Sequence, residues 1–95
     1  MVMAVARIGD SFTDGDTVAQ GSGNVFVNNL PVARLGDATT GEGCYPSVVI
    51  ISGSGSVFAN NIPVARLGDL KSVHCCDDDC HDGVISSASG NVFTG

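Results

Sequence analysis

The sequence predicts a small all-β domain assembled from three copies of one unit. Three observations carry this: a six-residue block that occurs three times, a second block built on a Val-Phe pair, and the lack of any window with a useful helical stripe. Val5-Ala6-Arg7-Ile8-Gly9-Asp10 returns as Val32-Ala33-Arg34-Leu35-Gly36-Asp37 and again as Val64-Ala65-Arg66-Leu67-Gly68-Asp69. Gly23-Asn24-Val25-Phe26-Val27-Asn28-Asn29 returns as Gly55-Ser56-Val57-Phe58-Ala59-Asn60-Asn61, and in truncated form as Gly90-Asn91-Val92-Phe93-Thr94-Gly95.

Each element follows from this pattern. Val25 and Val27 alternate with Phe26, and a period of two marks a strand. Asn28-Asn29 and Asn60-Asn61 follow, and asparagine tolerates the left-handed conformation of a tight turn. Pro31 and Pro63 open the next short strand, where a missing N–H does little harm. The segment from the Val-Phe pair to the arginine therefore predicts a β-hairpin, made twice in full. Gly21-Ser22-Gly23 and Gly53-Ser54-Gly55 are the turns before it. A lone hairpin is marginal in water. Three units, at approximately 4–30, 31–62 and 63–95, are expected to place Phe26, Phe58 and Phe93 at equivalent positions about one axis. A short β-solenoid is the alternative, although solenoids usually stack more units.

The 95 residues allow one domain, residues 1–95. Thirteen glycines and five aromatic residues indicate tight turns and thin packing, and a domain of this size often needs staples or partners. Ten acids against four bases give a net charge of −6. That argues against nucleic acid, which requires a basic footprint, and against docking on anionic lipid. Met1 to Arg7 lacks a basic stretch followed by a long apolar run, so no signal peptide is expected. Synthesis in the cytoplasm follows, with export by another route left open. The longest apolar run, Val48-Val49-Ile50-Ile51, is far short of a transmembrane segment. Three of the four cysteines, Cys75, Cys76 and Cys80, fall within six residues, bracketed by His74 and His81. Without a signal peptide such a cluster reads as metal binding before disulfide.

The ordered blocks resemble the PAAR family, named for a Pro-Ala-Ala-Arg motif. The motif is followed by a hydrophobic residue, Gly and Asp, a loop, a Gly-Ser turn and a Val-Phe-Val-Asn-Gly-like strand. Here these stand as Pro31-Val32-Ala33-Arg34-Leu35-Gly36-Asp37, Gly21-Ser22 and Val25-Phe26-Val27-Asn28-Asn29, and the resemblance spans essentially the whole chain. It implies a cone-shaped pseudo-threefold fold with a metal site near the apex. It also implies docking on the blunt end of a trimeric β-helical spike. The expected role is a structural tip that caps and sharpens a membrane-puncturing spike of a contractile phage tail baseplate, located at the virion tail tip and touching the target-cell membrane transiently. A type VI secretion spike tip is the alternative. The third repeat ends at Gly95, and an effector-less tip is therefore expected. A free metal-binding protein is the remaining reading. The chain departs from the family in its first loop, where Asp14 stands in place of an expected histidine.

The strongest local signal is His74-Cys75-Cys76-Asp77-Asp78-Asp79-Cys80-His81, joined by Cys44 of the second loop. A structural zinc takes four thiolate or imidazole ligands. One zinc, with iron as the alternative, is expected on four of Cys44, His74, Cys76, Cys80 and His81. Cys76 is preferred to Cys75 because neighbouring side chains in extended backbone diverge. Disulfides or free thiols are the alternative for the cysteines. Asp77, Asp78, Asp79 and Asp82 lack the glycine and terminal glutamate of a calcium loop. An enzyme is not expected, since a metal hydrolase needs an open coordination position and a base beside a cleft. Arg7, Arg34 and Arg66 are expected to pair with Asp10, Asp37 and Asp69 or with spike carboxylates. Because the arginine recurs, it is expected to matter more than Lys71.

Overall fold

The computed structural model describes residues 2–95, and these contain no helix. The strands are short: β1 (Met3–Ala4), β2 (Phe26–Val27), β3 (Leu30–Pro31), β4 (Phe58–Ala59), β5 (Ile62–Pro63), β6 (His74–Cys76), β7 (Asp79–His81) and β8 (Phe93–Thr94). The body measures 37 × 27 × 23 Å.

The three arginine blocks meet at one axis. The Ala33 N–H donates to the Ala6 carbonyl at 3.0 Å, Ala65 to Ala33 at 2.9 Å, and Ala6 to Ala65 at 3.0 Å. This is a closed ring of backbone bonds, one per repeat. Each alanine is fully buried, so its peptide groups must find partners within the protein, and the ring provides them. Antiparallel bridges Arg7↔Val32, Arg34↔Val64 and Val5↔Arg66 run around the same circle.

The hairpins lie on one side of this ring. β2 pairs with β3, Phe26 opposite Pro31, and β4 pairs with β5, Phe58 opposite Pro63. Asn28, Asn29, Asn60 and Asn61 all have φ between 54° and 65°, as a two-residue turn that matches strand twist requires. The third hairpin is split. β8 pairs with β1, Phe93 opposite Ala4, so the N-terminal strand completes the truncated last repeat. Phe26, Phe58 and Phe93 share an exposure of 55%, which marks them as equivalent positions.

Each hairpin is entered through a serine. Ser22, Ser54 and Ser89 are buried. Their Oγ atoms accept from the N–H groups two and three residues on: Asn24 and Val25, Ser56 and Val57, Asn91 and Val92. The same oxygens would favour a turn over a helix in any chain. Glycine precedes two of them for lack of space: a Cβ on Gly21 would lie 2.8 Å from the Val32 carbonyl oxygen, and one on Gly53 would lie 3.0 Å from Pro63 Cβ.

Packing is layered along the axis. Val5, Val32 and Val64 are buried with Ala59 on the hairpin side. Val18, Ile50 and Ile85 are buried on the other side with the alanines and Phe12. These three are again equivalent, because their carbonyls accept from Gly9, Gly36 and Gly68. One step further, the residue two places after each Gly-Asp is buried: Phe12, Thr39 and Lys71.

The arginines brace the rim of each layer. Arg34 Nε donates to Asp37 Oδ2 and Nη2 to Oδ1, both at 3.0 Å, while the Arg34 N–H reaches Oδ2 at 2.8 Å. Arg7–Asp10 and Arg66–Asp69 repeat this geometry. The fork holds each guanidinium above its ordinary pKa, chiefly through the hydrogen bond to its aspartate and against the opposing effect of burial. The pairs are thus internal. Arg7 and Arg34 also reach the turn residues Asn28 and Asn60 at 3.0 Å, tying hairpin to rim.

The axis tolerates little added volume. Ala33→Val is expected to cost about 1–3 kcal/mol by overpacking, or very roughly 4–20 °C in melting temperature for a domain of this size. Ala19→Val, at an exposed site, should leave the melt nearly unchanged, and thermal denaturation of both variants checks the contrast.

Candidate metal centre

Beyond the layer of Phe12, Thr39 and Lys71 the three loops converge. Asp14 comes from the first, Glu42 from the second, His74 and His81 from the third, and one ligand atom of each lies within 4.8 Å of all the others. His74 and His81 face each other across β6 and β7, in register, with their Nε2 atoms 2.7 Å apart. Asp14 Oδ2 lies 3.1 Å from His74 Nε2 and 3.0 Å from His81 Nε2. Glu42 Oε1 lies 3.1 Å from His81 Nε2 and 3.6 Å from that of His74.

The donor set fits a cation. His74 Nδ1 donates to the Pro46 carbonyl at 2.9 Å, which leaves the Nε2 lone pair aimed at the cluster, as second-shell bonds do for metal-binding histidines. Two such nitrogens in contact need a proton or a cation between them. A tetrahedral ion with ligands at about 2.0–2.1 Å sets those ligands roughly 3.3 Å apart, close to the spacings here. Charge agrees. Asp14, Asp16 and Glu42 face a single ammonium, that of Lys71, which leaves two negative charges for a divalent ion. Imidazole and carboxylate together suit zinc or iron.

Lys71 is the floor of the site. Its side chain is fully buried, with Nζ 2.6 Å from Asp14 Oδ2 and 3.0 Å from Asp16 Oδ2. It is also 3.0 Å from His74 Nε2 and 5.4 Å from the centre of the Phe12 ring. Asp16, wholly buried, ties the first loop to the second by accepting from the Thr17 and Gly41 N–H groups, each at 2.8 Å. Burial pushes the Asp14 carboxyl up, but Lys71, the Asp16 N–H and His74 together outweigh it and hold its pKa at about 2. Asp16 is likewise lowered, by the Thr39 hydroxyl, Lys71 and the Thr17 N–H acting against burial. Both carboxylates are therefore charged at neutral pH. Tyr45 covers the site: its ring lies 4.0 Å from that of His81, and its hydroxyl donates to Asp79. That bond, with burial and the Asp79 and Glu42 charges, pushes the phenol up to about 12.

The cysteines are placed differently from the expectation that Cys44, Cys76 and Cys80 join the ligands. Cys44 is bonded to Cys76 and Cys75 to Cys80, so none of the four is free. A cystine sulfur has no thiolate charge to offer a metal. Alternation along β6 and β7 puts Cys75 and Cys80 on the face opposite the histidines. Of the five residues expected, the structure gathers His74 and His81, and it adds Asp14 and Glu42. Asp14 was visible as the residue standing at an expected histidine. Glu42 had no such signal beyond its place five residues after Asp37, matching His74 five after Asp69. Lys71, which occurs once in the sequence, is buried at the repeat position that Phe12 and Thr39 occupy in the other two units.

Lys71→Met is expected to leave Asp14 and Asp16 without their cation and to cost about 3–5 kcal/mol. Asp78→Asn on the exposed turn should stay within about 0.5 kcal/mol. Denaturant titration of the two variants, metal-free, measures the difference.

No curated protein matches the chain. The family model described as PAAR motif matches residues 1–47, and the blocks it covers recur in the remainder of the chain. With its arginine blocks closed on one axis and its loops gathered around a cluster of histidines and carboxylates that could hold a metal ion, the chain belongs to the PAAR-repeat family, whose motif is generally metal-binding and marks spike-tip proteins of the phage-tail or type VI secretion kind.

Proposed function

We propose that this protein is a structural tip that caps and sharpens a trimeric β-helical, membrane-puncturing spike of a contractile phage tail, one tip per trimer. The observation that carries the reading is the closed alanine ring. It makes one chain threefold and turns three half-exposed phenylalanines to one end. A trimer presents three identical chain ends, and a monomer with internal threefold symmetry can meet all of them at once. Val5, Val32, Val64 and Phe58 line an apolar hollow at that end, suited to a spike's apolar terminus. The base would serve a type VI secretion spike equally, because such a spike offers the same symmetry.

At the opposite end one zinc would be held by Asp14, Glu42, His74 and His81. Bound there, the ion supplies a crosslink among three loops, and structural zinc contributes on the order of 10 kcal/mol to folding. The remaining residues prepare the place: Lys71 holds Asp14, Pro46 orients His74, and Tyr45 shields His81. Four protein ligands close the coordination shell, which suits a structural role and no catalysis. The tip would be made in the cytoplasm and carried outward at the point of the spike, where it meets the target membrane only in passing. No helix among the described residues is long and apolar enough to cross a membrane.

Native mass spectrometry with the cognate spike should show one chain per trimer, and three chains per trimer would overturn the reading. Phe58→Asp should abolish that complex while leaving the melt of the free tip largely intact, because Phe58 is half exposed. Elemental analysis of protein purified without chelator should find about one zinc per chain, and His81→Ala should lower metal content and melting temperature together. Equal melting temperatures for metal-loaded and metal-free protein would sink the structural-metal role.

A further inference from the structure

The two disulfides lie outside the ring, the hairpins of the base and the arginine pairs. Both lie in the apical loops. Cys44 sits at the tip of a tight turn in which Glu42 and Tyr45 exchange backbone hydrogen bonds, Glu42 N–H to Tyr45 O at 3.0 Å and Tyr45 N–H to Glu42 O at 2.8 Å. Its partner Cys76 ends β6, two residues after His74 and on the same face of the hairpin. One covalent bond thus welds the turn that carries Glu42 and Tyr45 to the hairpin that carries both histidines. The pair spans 32 residues of sequence, and no other covalent link joins these loops. The Cys75–Cys80 bond joins residues already opposite each other in the β6–β7 register. It faces away from the ligands and adds no contact between loops.

We propose that the Cys44–Cys76 disulfide gates the metal site: intact, it holds Glu42 in the ligand set and Tyr45 over His81, and its reduction frees the second loop and weakens metal binding. The proposal rests on the reading of Asp14, Glu42, His74 and His81 as a metal centre. Glu42 is the exposed member of the pair of carboxylates, its side chain 26% accessible against 8% for Asp14. Asp14 is fixed by the buried Lys71 and by the Asp16 N–H, whereas Glu42 has no lysine beside it and is placed by its turn, the disulfide and its contact with His81 Nε2 at 3.1 Å. Reduction is a two-electron step. Two molecules of a monothiol such as glutathione join as their own disulfide, and Cys44 and Cys76 each gain one electron and one proton. Coupling between sites is reciprocal, so bound metal must in turn make this disulfide harder to reduce. The tip would then bind metal loosely where thiols are kept reduced and tightly where they are oxidised.

The test measures zinc affinity of the full chain by competition with a chromophoric chelator. Oxidised wild type, Cys44→Ser/Cys76→Ser and Cys75→Ser/Cys80→Ser are compared. The first double variant should lose at least about tenfold in affinity and the second less than about threefold, both remaining folded by circular dichroism. Equal affinity of Cys44→Ser/Cys76→Ser and wild type overturns the gate alone. Oxidised wild type that binds no zinc overturns the metal centre and the gate together. A second measurement stands even if the first variant fails to fold. Wild type is equilibrated in glutathione redox buffer with and without saturating zinc, and the Cys44–Cys76 bond is followed by alkylation and peptide mass. Tenfold coupling shifts its midpoint about 30 mV more negative with zinc. No shift overturns the gate. A shift to a less negative midpoint would show that the freed thiolates are themselves the better ligands, and that also overturns it.

Discussion

Three hydrogen bonds among Ala6, Ala33 and Ala65 constrain the rest of the molecule. Their closure brings three backbone segments into contact at one axis, with no room for a side chain larger than a methyl. Every later feature takes its position from that contact. The valine that precedes each alanine falls on the hairpin side, and the arginine that follows turns to the rim. Each Gly-Asp turn then sends its loop away from the hairpins. Because strands of two or three residues offer few ladder bonds, stability must come from the agreement of the three copies rather than from any one sheet.

Much of this was legible. The Asn-Asn pairs required a turn of left-handed residues, and the repeat required a common axis. Two things were less so. The truncated third copy gave no sign that β1 would complete it, since chain closure depends on where the two termini lie in space. Lys71 occurs once, and its own segment, Leu70-Lys71-Ser72, carries no pattern that signals burial. Only superposition on Phe12 and Thr39 reveals a buried site, and a buried ammonium is admissible there because Asp14 and Asp16 neutralise it. The metal site divides in the same way. Imidazoles and sulfurs announced themselves by residue type, but residue type does not separate a thiolate from a cystine. That distinction rests on which loops meet, and here the second loop meets the β6–β7 hairpin at Cys44 and Cys76.

The repeats also explain why the site is asymmetric. Three identical loops would offer three identical ligands, and a tetrahedral ion needs four. The third loop is the longest between its arginine and phenylalanine blocks and folds back as β6 and β7, contributing both His74 and His81. The first and second loops contribute one carboxylate each. A threefold frame thereby gathers a fourfold donor set by elaborating one copy, at the end opposite the hairpins.

Charge follows the same division. Asp10, Asp37 and Asp69 are cancelled by the three arginines around the body. The other seven acids lie in the apical loops against Lys71 alone, so the whole net charge of −6 belongs to that end. The base is left neutral and apolar, which lets it be covered without desolvating an ion. The apex carries the self-repulsion of its excess acids, which works against the packing of the three loops. Lys71 relieves it from below and the disulfides hold it from the side. A divalent cation among Asp14, Glu42, His74 and His81 would remove the two charges that Lys71 leaves uncompensated at the centre. What remains is on Asp77, Asp78, Asp79 and Asp82, at the outer hairpin, where solvent can screen it.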